Sequence, residues 1–243
     1  MSTTAPTVVL VHGAFADAGS WAPVTRSLLD RGHRVIAPST HLRTLAGDAA
    51  SVRWVVESVD GPVVLAGHSY GGAVITVAGA AENVVGLVYV AAYVPDEAES
   101  PADLDARYPA TDLRDHLVVL PNPTPGRADG VDLSVEPSAF LPVFAAGLDL
   151  RTAEVLAVSQ RSFADEAYTG AASAAAWKDT PSWGIVATAD KTVQPDVQRY
   201  GYERAGFKQI VDVDAPHLVM QTHPEAVVDL IETAVQSGGT HSA

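Results

Sequence analysis

The chain has 243 residues, of which 47 % are hydrophobic and 18 % are charged, and this balance excludes an intrinsically disordered protein. Its formal net charge of −14 at pH 7 repels phosphate backbones and anionic lipids, so we expect no nucleic-acid partner and no membrane partner. The absence of cysteine excludes disulfides, cysteine–zinc sites, iron–sulfur clusters and thiol nucleophiles.

The length fits one large domain better than two small ones, because open α/β sheets and barrels often reach this size undivided. Residues Met1 to Pro6 have neither the basic nor the apolar stretch of a signal peptide. No apolar run approaches the length of a membrane span without a Gly, Pro, His or charged residue. We therefore expect a soluble, cytoplasmic protein.

Six short apolar runs, rich in valine and without polar alternation, are typical of strands buried on both faces of a parallel sheet. These runs are Thr7–Val11, Arg34–Ile36, Pro62–Leu65, Val84–Ala91, Gly184–Ala187 and Gln209–Val213. Four stretches with helical spacing or composition lie between or after them: Trp21–Leu29, Leu45–Val59, Gly71–Ala81 and Pro224–Val235. This alternation predicts an α/β fold with a doubly wound, mostly parallel sheet flanked by helices.

One segment interrupts the alternation, because none of its apolar runs has the pattern of a buried core strand. It includes the turn-rich stretch Pro121–Gly126, and short helices are predicted over Pro137–Gln160 and Phe163–Trp177. A structureless loop of this length is uncommon, so the segment is interpreted as a helical cap inserted over the sheet. The predicted division is a core of residues 1–94 and 181–243 and a helical cap of residues 95–180.

The sequence Gly-His-Ser-Tyr-Gly at residues 67–71 lies between a predicted strand and a predicted helix, the context in which G-x-S-x-G forms a nucleophile elbow. The two glycines allow a sharp turn that raises Ser69 Oγ above the sheet, beside the N-terminus of the next helix. The amides and dipole of that helix favour developing negative charge. Ser69 is therefore the candidate nucleophile, and the alternative is a glycine-rich tight turn without chemical function.

A second signal is the first apolar run, which leads directly into the sequence His-Gly-Ala-Phe at residues 12–15. Acyl transfer needs a second amide directed at the oxyanion, and the loop after a neighbouring strand can supply it. We predict an oxyanion hole formed by the backbone N–H groups of Ala14 and Tyr70, with the Phe15 amide as the alternative to Ala14. His12 is interpreted as a structural residue whose ring bonds to the backbone.

A serine nucleophile needs a base, and His217 is the best placed of the eight histidines. It follows the last predicted strand, and the loops beyond the C-terminal ends of parallel strands are where catalytic groups collect. His223 is interpreted as part of the start of the final helix. His68 adjoins the nucleophile, but its side chain is expected to point away along the elbow.

The acid that orients the imidazole is predicted to be Asp190, which follows the strand before the last one. The resulting chain order of serine, aspartate and histidine is the order that hydrolases with a nucleophile elbow use. Asp96, which follows the preceding strand, is the alternative. Asp214 is too close to His217 in sequence to orient its ring easily.

These motifs resemble those of the α/β-hydrolase superfamily, and the resemblance covers nearly the whole chain. Within it, the sequence is most similar to the small single-cap branch of plant methyl-ester hydrolases, hydroxynitrile lyases and bacterial pyrethroid-type carboxylesterases, which also begin with the strand leading into His-Gly. The resemblance implies the α/β-hydrolase fold with a helical cap and a cofactor-free, serine-dependent hydrolase. Leu218 occupies the position where the lyases have lysine, and Ser69 replaces the aspartate of haloalkane dehalogenases and epoxide hydrolases, so these activities are not expected.

Together these features predict a serine esterase that hydrolyses small carboxylic esters through an acyl-enzyme intermediate. The expected partner is a small-molecule ester, and the assembly is left open between a monomer and a homodimer. No metal is expected, because no His, Asp or Glu pattern has ligand spacing, and the resemblance implies that no cofactor is needed. The side chains expected to line the substrate site are Phe15, Leu218, Phe140, Phe144 and Trp177.

Two alternatives stay open at this point. A cofactor-free perhydrolase of the haloperoxidase type would use the same triad with peroxide in place of water. A hydrolase fold used as a ligand receptor would keep the triad without turnover. An assay with acetate, peroxide and bromide tests the first, and turnover of a short p-nitrophenyl ester tests the second.

Overall fold

Six parallel strands form the central sheet of the computed structural model, which describes residues 5–122 and 130–238. These strands are β1 (Thr7–Val11), β2 (Val35–Ile36), β3 (Val63–His68), β4 (Val84–Val90), β8 (Ser182–Ala187) and β9 (Gln209–Val213), and β5 to β7 lie in an insertion described below. Their spatial order is β2-β1-β3-β4-β8-β9, and every neighbouring pair is parallel. The predicted doubly wound sheet is confirmed.

Helices pack against this sheet and against one another. They are α1 (Ala22–Asp30), α2 (Leu45–Glu57), α3 (Tyr70–Ala78), α8 (Pro195–Arg204), α9 (Val219–Thr222) and α10 (Pro224–Gly238), with a 3-10 turn at Ala18–Trp21. Helix α1 packs on α10, which contacts β3, β4 and β8, whereas α2 packs on α3, which contacts β1 and β3. Strands β1, β3 and β8 are buried along their whole length, which explains their continuous apolar sequences.

The chain between β4 and β8 forms an insertion with short helices and a second sheet. The helices are α4 (Pro101–Asp105), α5 (Pro137–Ala139), α6 (Leu150–Ser159) and α7 (Asp165–Thr169), with 3-10 turns at Asp112–His116 and Ala176–Lys178 and a π-helical turn at Phe140–Phe144. The second sheet is antiparallel, in the order β5 (Leu117–Pro121), β6 (Val131–Val135) and β7 (Phe163–Ala164).

The prediction of short helices in this insertion is incomplete, because it does not include the three-stranded sheet. Strand β5 lies at the edge of the small sheet, and Val119 is 57 % exposed, so its sequence lacks the signature of a buried strand. The stretch Phe163–Trp177, where short helices are predicted, begins with strand β7 instead of a helix. Helix α7 follows the strand and ends at Thr169. The predicted turn-rich stretch Pro121–Gly126 starts at the last residue of β5. Its residues 123–126 lie outside the described residues.

Among the described residues, no helix combines the length and the apolar composition needed to cross a bilayer.

Candidate active site

The candidate site lies beside β1, where the winding direction of the sheet reverses. The chain passes from β1 to β2 on one side, and β3 pairs with β1 on the other, so the loops after β1 and β3 leave the same end of the sheet as neighbours. Such a switch point is the usual ligand site of an open α/β sheet. Ala14 follows β1, Ser69 follows β3, and both line one cavity of about 500 Å³.

Ser69 occupies a strained turn between β3 and α3. Its backbone φ of 55° and ψ of −123° lie outside the regions that L-residues usually adopt. A Cβ at Gly67 would collide with the Gly71 carbonyl, and a Cβ at Gly71 would collide with the Val11 carbonyl of β1. Glycine at both positions therefore lets the turn close on itself and pack against β1, as the G-x-S-x-G pattern predicts.

His217 and Asp190 form a buried pair in the loops after β9 and β8. His217 Nδ1 and Asp190 Oδ2 are 2.7 Å apart, and both side chains are fully shielded from solvent. Since the carboxylate accepts, Nδ1 carries the proton and Nε2 presents its lone pair. Within the described part of the chain, Nε2 is buried without a hydrogen-bond partner.

Three further donors hold the Asp190 carboxylate in place. The backbone amides of Thr192 and Val193 donate to Oδ1 at 2.7 Å and 3.1 Å. Gln198 Nε2 donates to Oδ2 at 2.8 Å, and Gln198 Oε1 accepts from the Ala187 amide at 3.0 Å. No sequence motif indicates Gln198, because a single buried glutamine on a helix has no characteristic spacing. Its contacts tie Asp190 to both β8 and α8.

The two alternative acids lie elsewhere. Asp96 Oδ1 pairs with Lys178 Nζ at 2.5 Å and accepts from the Glu97 amide at 2.7 Å. The hydrogen bond with Lys178 holds the pKa of the Asp96 carboxyl below its ordinary value, and the side chain is partly exposed. Asp214 is exposed. Neither carboxylate bonds to His217, which favours Asp190 over both.

His68 does not point away from the site, so that expectation is wrong. Its Nε2 donates to the backbone carbonyl of His217 at 2.9 Å, and the two imidazole rings lie 4.5 Å apart. Burial holds the pKa of His68 well below its ordinary value, so its ring stays neutral. His12 also bonds to the backbone, with Nδ1 donating to the Gly13 carbonyl and Nε2 accepting from the Thr40 amide.

Ala14 and Tyr70, whose amides are predicted to form the oxyanion hole, line the same cavity as Ser69. Tyr70 is the first residue of α3, where an N–H has no partner within the helix. Ala14 lies outside regular structure, and no hydrogen bond within the described residues uses its amide. The Tyr70 hydroxyl donates at 2.8 Å to Asp48, a buried carboxylate that the sequence analysis did not identify.

The cavity has an aromatic wall. The Phe15 ring meets the rings of Phe144 and Phe163 edge-on at 5.8 Å and 5.7 Å, and Phe144 lies 5.2 Å from the His217 ring. Phe15 and Phe144, two of the residues predicted to contact substrate, line this cavity. Further apolar lining comes from the insertion, at Leu113, Leu117 and Leu133.

The remaining predicted lining residues lie elsewhere. Phe140 and Leu218 border a smaller cavity of about 30 Å³, which Phe15 and Phe144 also line. Trp177 does not line the large cavity, which corrects the prediction. Its indole N–H donates to the Pro95 carbonyl at 2.9 Å, and Lys178 and Arg204 contact its ring. Trp177 is held by these packing contacts.

A polar group also lines the cavity, and no sequence motif indicates it. Asp105 Oδ2 accepts hydrogen bonds from the hydroxyls of Tyr93 at 2.8 Å and Tyr168 at 2.6 Å. All three residues line the cavity that Ser69 lines. As for metals, the described residues contain no group of three or more His, Asp or Glu side chains that could hold an ion.

Comparison with known proteins gives a family match and a curated relative. The family described as "Alpha/beta hydrolase family" matches residues 8–230. A carbendazim hydrolyzing esterase of Nocardioides sp. (strain SG-4G) is 35 % identical over 109 residues, which is 38 % of this chain and 44 % of that protein. The match thus spans less than half of the relative's length.

Solved structures share the fold over almost the whole chain. Polyneuridine aldehyde esterase has a TM-score of 0.80 at 20 % identity, with 95 % of this chain and 99 % of that chain covered. A pyrethroid hydrolase from Sphingobium faniae JZ-2 has a TM-score of 0.72 at 19 % identity, with 96 % of this chain and 98 % of that chain covered. At these identities the likeness concerns the fold.

Proposed function

The chain belongs to the alpha/beta hydrolase family, as its motifs predict, and we propose that it is a serine-dependent hydrolase of small carboxylic esters. The observation that carries the proposal is the buried 2.7 Å hydrogen bond between His217 and Asp190, beside the strained turn that presents Ser69. A nucleophile on such a turn, a base and an orienting carboxylate are the parts that acyl transfer to serine needs.

In the proposed reaction, Ser69 Oγ attacks the carbonyl carbon of the ester while His217 Nε2 takes the hydroxyl proton. Asp190 holds the ring in the required tautomer and stabilises the imidazolium that forms. The tetrahedral intermediate collapses, the C–O bond to the alcohol breaks, and His217 returns the proton to the departing alkoxide. The products of this first half are the free alcohol and an ester of Ser69.

Water completes the reaction in the second half. His217 Nε2 takes a proton from water, the hydroxide attacks the acyl carbon, and Ser69 Oγ leaves with the proton returned by His217. In both halves the amides of Ala14 and Tyr70 donate to the oxyanion, a contribution of about 3 kcal/mol for each donor in comparable sites. No step of this scheme uses a metal ion or an organic cofactor.

The cavity and the relatives support an ester as the substrate. A cavity of about 500 Å³ lies in the range of small-molecule sites, and its aromatic wall suits an apolar acyl or alcohol group. We propose that residues 95–180 act as the cap that closes this cavity over Ser69. Two of the similar proteins are named as esterases, one for carbendazim and one for polyneuridine aldehyde, and a third is named as a pyrethroid hydrolase.

The test is turnover of p-nitrophenyl acetate and p-nitrophenyl butyrate, followed by peptide mass spectrometry of protein quenched during turnover. The proposal predicts release of p-nitrophenol and an acyl group on the peptide that contains Ser69. Absence of turnover would favour the receptor alternative, and an acyl group on another residue would contradict the assignment of the nucleophile. Bromination with acetate, peroxide and bromide that outpaces ester hydrolysis would favour the perhydrolase.

A further inference from the structure

Asp105 places a carboxylate inside the cavity of the candidate active site. It is the last residue of α4, and it lines the same cavity as Ser69. Its Oδ2 takes both tyrosine hydrogen bonds, from Tyr93 after β4 and from Tyr168 in α7. Three separate elements therefore hold this carboxylate in one orientation.

The other oxygen of the same carboxylate, Oδ1, accepts no hydrogen bond from the described residues. The nearby cations do not neutralise it. Arg107, two residues further on, pairs with Glu99 at 2.7 Å, and Arg114 lines the cavity without forming an ion pair with Asp105. Asp105 is half-buried and lines the cavity, so a ligand that supplies a donor can replace solvent at this oxygen.

The two tyrosines cannot act as the missing donors for Oδ1, since each hydroxyl has one proton and both protons already point to Oδ2. Burial and the neighbouring carboxylate raise the pKa values of Tyr93 and Tyr168, so both hydroxyls stay protonated. Burial also raises the pKa of Asp105 above its ordinary value, whereas the hydrogen bonds from the two tyrosines oppose that change.

We propose that Asp105 is a specificity-determining residue that binds an N–H donor, most strongly a protonated amine, on the substrate. This inference rests on the proposed ester hydrolysis, and it names the class of ester: one whose acyl or alcohol half carries an amine or amide N–H. The apolar body of that half lies against Phe15, Phe144 and Phe163, and the N–H reaches Oδ1. A site built to accept a substrate hydrogen bond discriminates against an analogue that lacks the donor.

The test compares ester pairs of the same shape that differ by one donor. On the alcohol side the pair is 3-(aminomethyl)phenyl acetate and 3-ethylphenyl acetate. On the acyl side it is methyl 3-(aminomethyl)benzoate and methyl 3-ethylbenzoate. In at least one pair, wild-type kcat/KM should favour the amine at least about tenfold, mainly through KM. A wild-type enzyme without preference in either pair would overturn the proposal.

The variant Asp105→Asn removes the charge and keeps the size of the side chain. It should abolish most of the preference for the amine, measured as the ratio of kcat/KM for the amine ester to kcat/KM for its ethyl partner. The matched control is Asp112→Asn, which removes the same charge from an exposed position of the insertion and should leave the preference intact. An unchanged preference in Asp105→Asn would overturn the proposal.

A second measurement needs no variant and covers the case in which Asp105→Asn does not fold. Benzylamine should inhibit wild-type hydrolysis of 3-ethylphenyl acetate competitively, and at least about tenfold more strongly than the neutral isostere ethylbenzene. Equal inhibition by both compounds would overturn the role of Asp105. Failure of the wild type to hydrolyse any of the four esters would instead count against the proposed function, so the two failures are distinguishable.

Discussion

The carbonyl oxygen of His217 accepts a hydrogen bond from Nε2 of His68, the residue directly before the candidate nucleophile. The bond joins the loop after β9 to the end of β3, and it adds to the 4.5 Å contact between the two rings. The distance between Ser69 and the proposed base therefore depends on His68 as well as on Asp190. We interpret His68 as a positioning residue.

This interpretation predicts that His68→Phe, which keeps a ring but loses the donor, lowers kcat by about five- to tenfold and changes KM little. The reason is that His217 loses one of the contacts that place its Nε2. His68→Gln retains a side-chain N–H and should recover most of kcat, which separates positioning from simple packing. Wild-type kcat in His68→Phe, measured on p-nitrophenyl acetate, would show that the contact has no part in the reaction.

Substitution of the two candidate acids tests the third member of the triad. Asp190→Asn should lower kcat by about 10⁴-fold, because an amide favours the wrong imidazole tautomer. Asp96→Asn should stay within about twofold of wild type, because Asp96 pairs with Lys178 away from His217. Steady-state kinetics of both variants on one activated ester decide between them. If Asp96→Asn loses most of its kcat and Asp190→Asn keeps nearly wild-type kcat, Asp96 is the carboxylate that orients His217.

The buried histidines predict how stability depends on pH. Burial lowers the pKa values of His12 and His68 in the folded protein, whereas the unfolded chain binds these protons near pH 6.5. The free energy of unfolding should therefore be fully retained above pH 6.5 and fall as the pH decreases below it. Each ring contributes up to about 1.4 kcal/mol per pH unit.

Urea denaturation at several values between about pH 7 and pH 5, where carboxylates stay mostly ionised, measures this slope. His68→Gln removes one of the two titrating rings and should make the slope shallower. The same slope in His68→Gln and in the wild type would mean that His68 is not neutral and buried as described.

Chelation is expected to leave the reaction unchanged. The proposed steps use only Ser69, His217, Asp190 and two backbone amides. Within the described ranges, no group of three or more His, Asp or Glu side chains could hold a metal ion. After exhaustive dialysis against EDTA, kcat/KM for p-nitrophenyl acetate should equal that of the untreated protein. A large loss that Zn²⁺ or Mn²⁺ restores would show that the site has been misinterpreted.

Much of this site could be predicted because its parts lie at strand ends, and the strands are visible as apolar runs. Ser69 has a local motif, and His217 and Asp190 follow the last two strands of a parallel sheet, whose carboxyl ends meet at one edge. The central sheet was predictable for the same reason, since strands buried on both faces have no polar alternation.

The rest could not be predicted, because it depends on contacts across the insertion. Asp105 meets Tyr93 and Tyr168 only after α4 and α7 have packed, and no spacing in the sequence signals that contact. The aromatic character of Trp177 predicts a place in the pocket, but Lys178, Arg204 and the Pro95 carbonyl hold its ring elsewhere. Aromatic side chains in a cap do not reveal which way they face.

The central claim is that Ser69 carries the acyl group, and the most direct measurement is the kcat of Ser69→Ala on p-nitrophenyl acetate, with the melting temperature as a check on folding. The claim predicts a loss of at least about 10⁴-fold at a nearly unchanged melting temperature, because the hydroxyl serves the chemistry and not the packing. A folded Ser69→Ala protein that keeps more than a few per cent of wild-type kcat would contradict it.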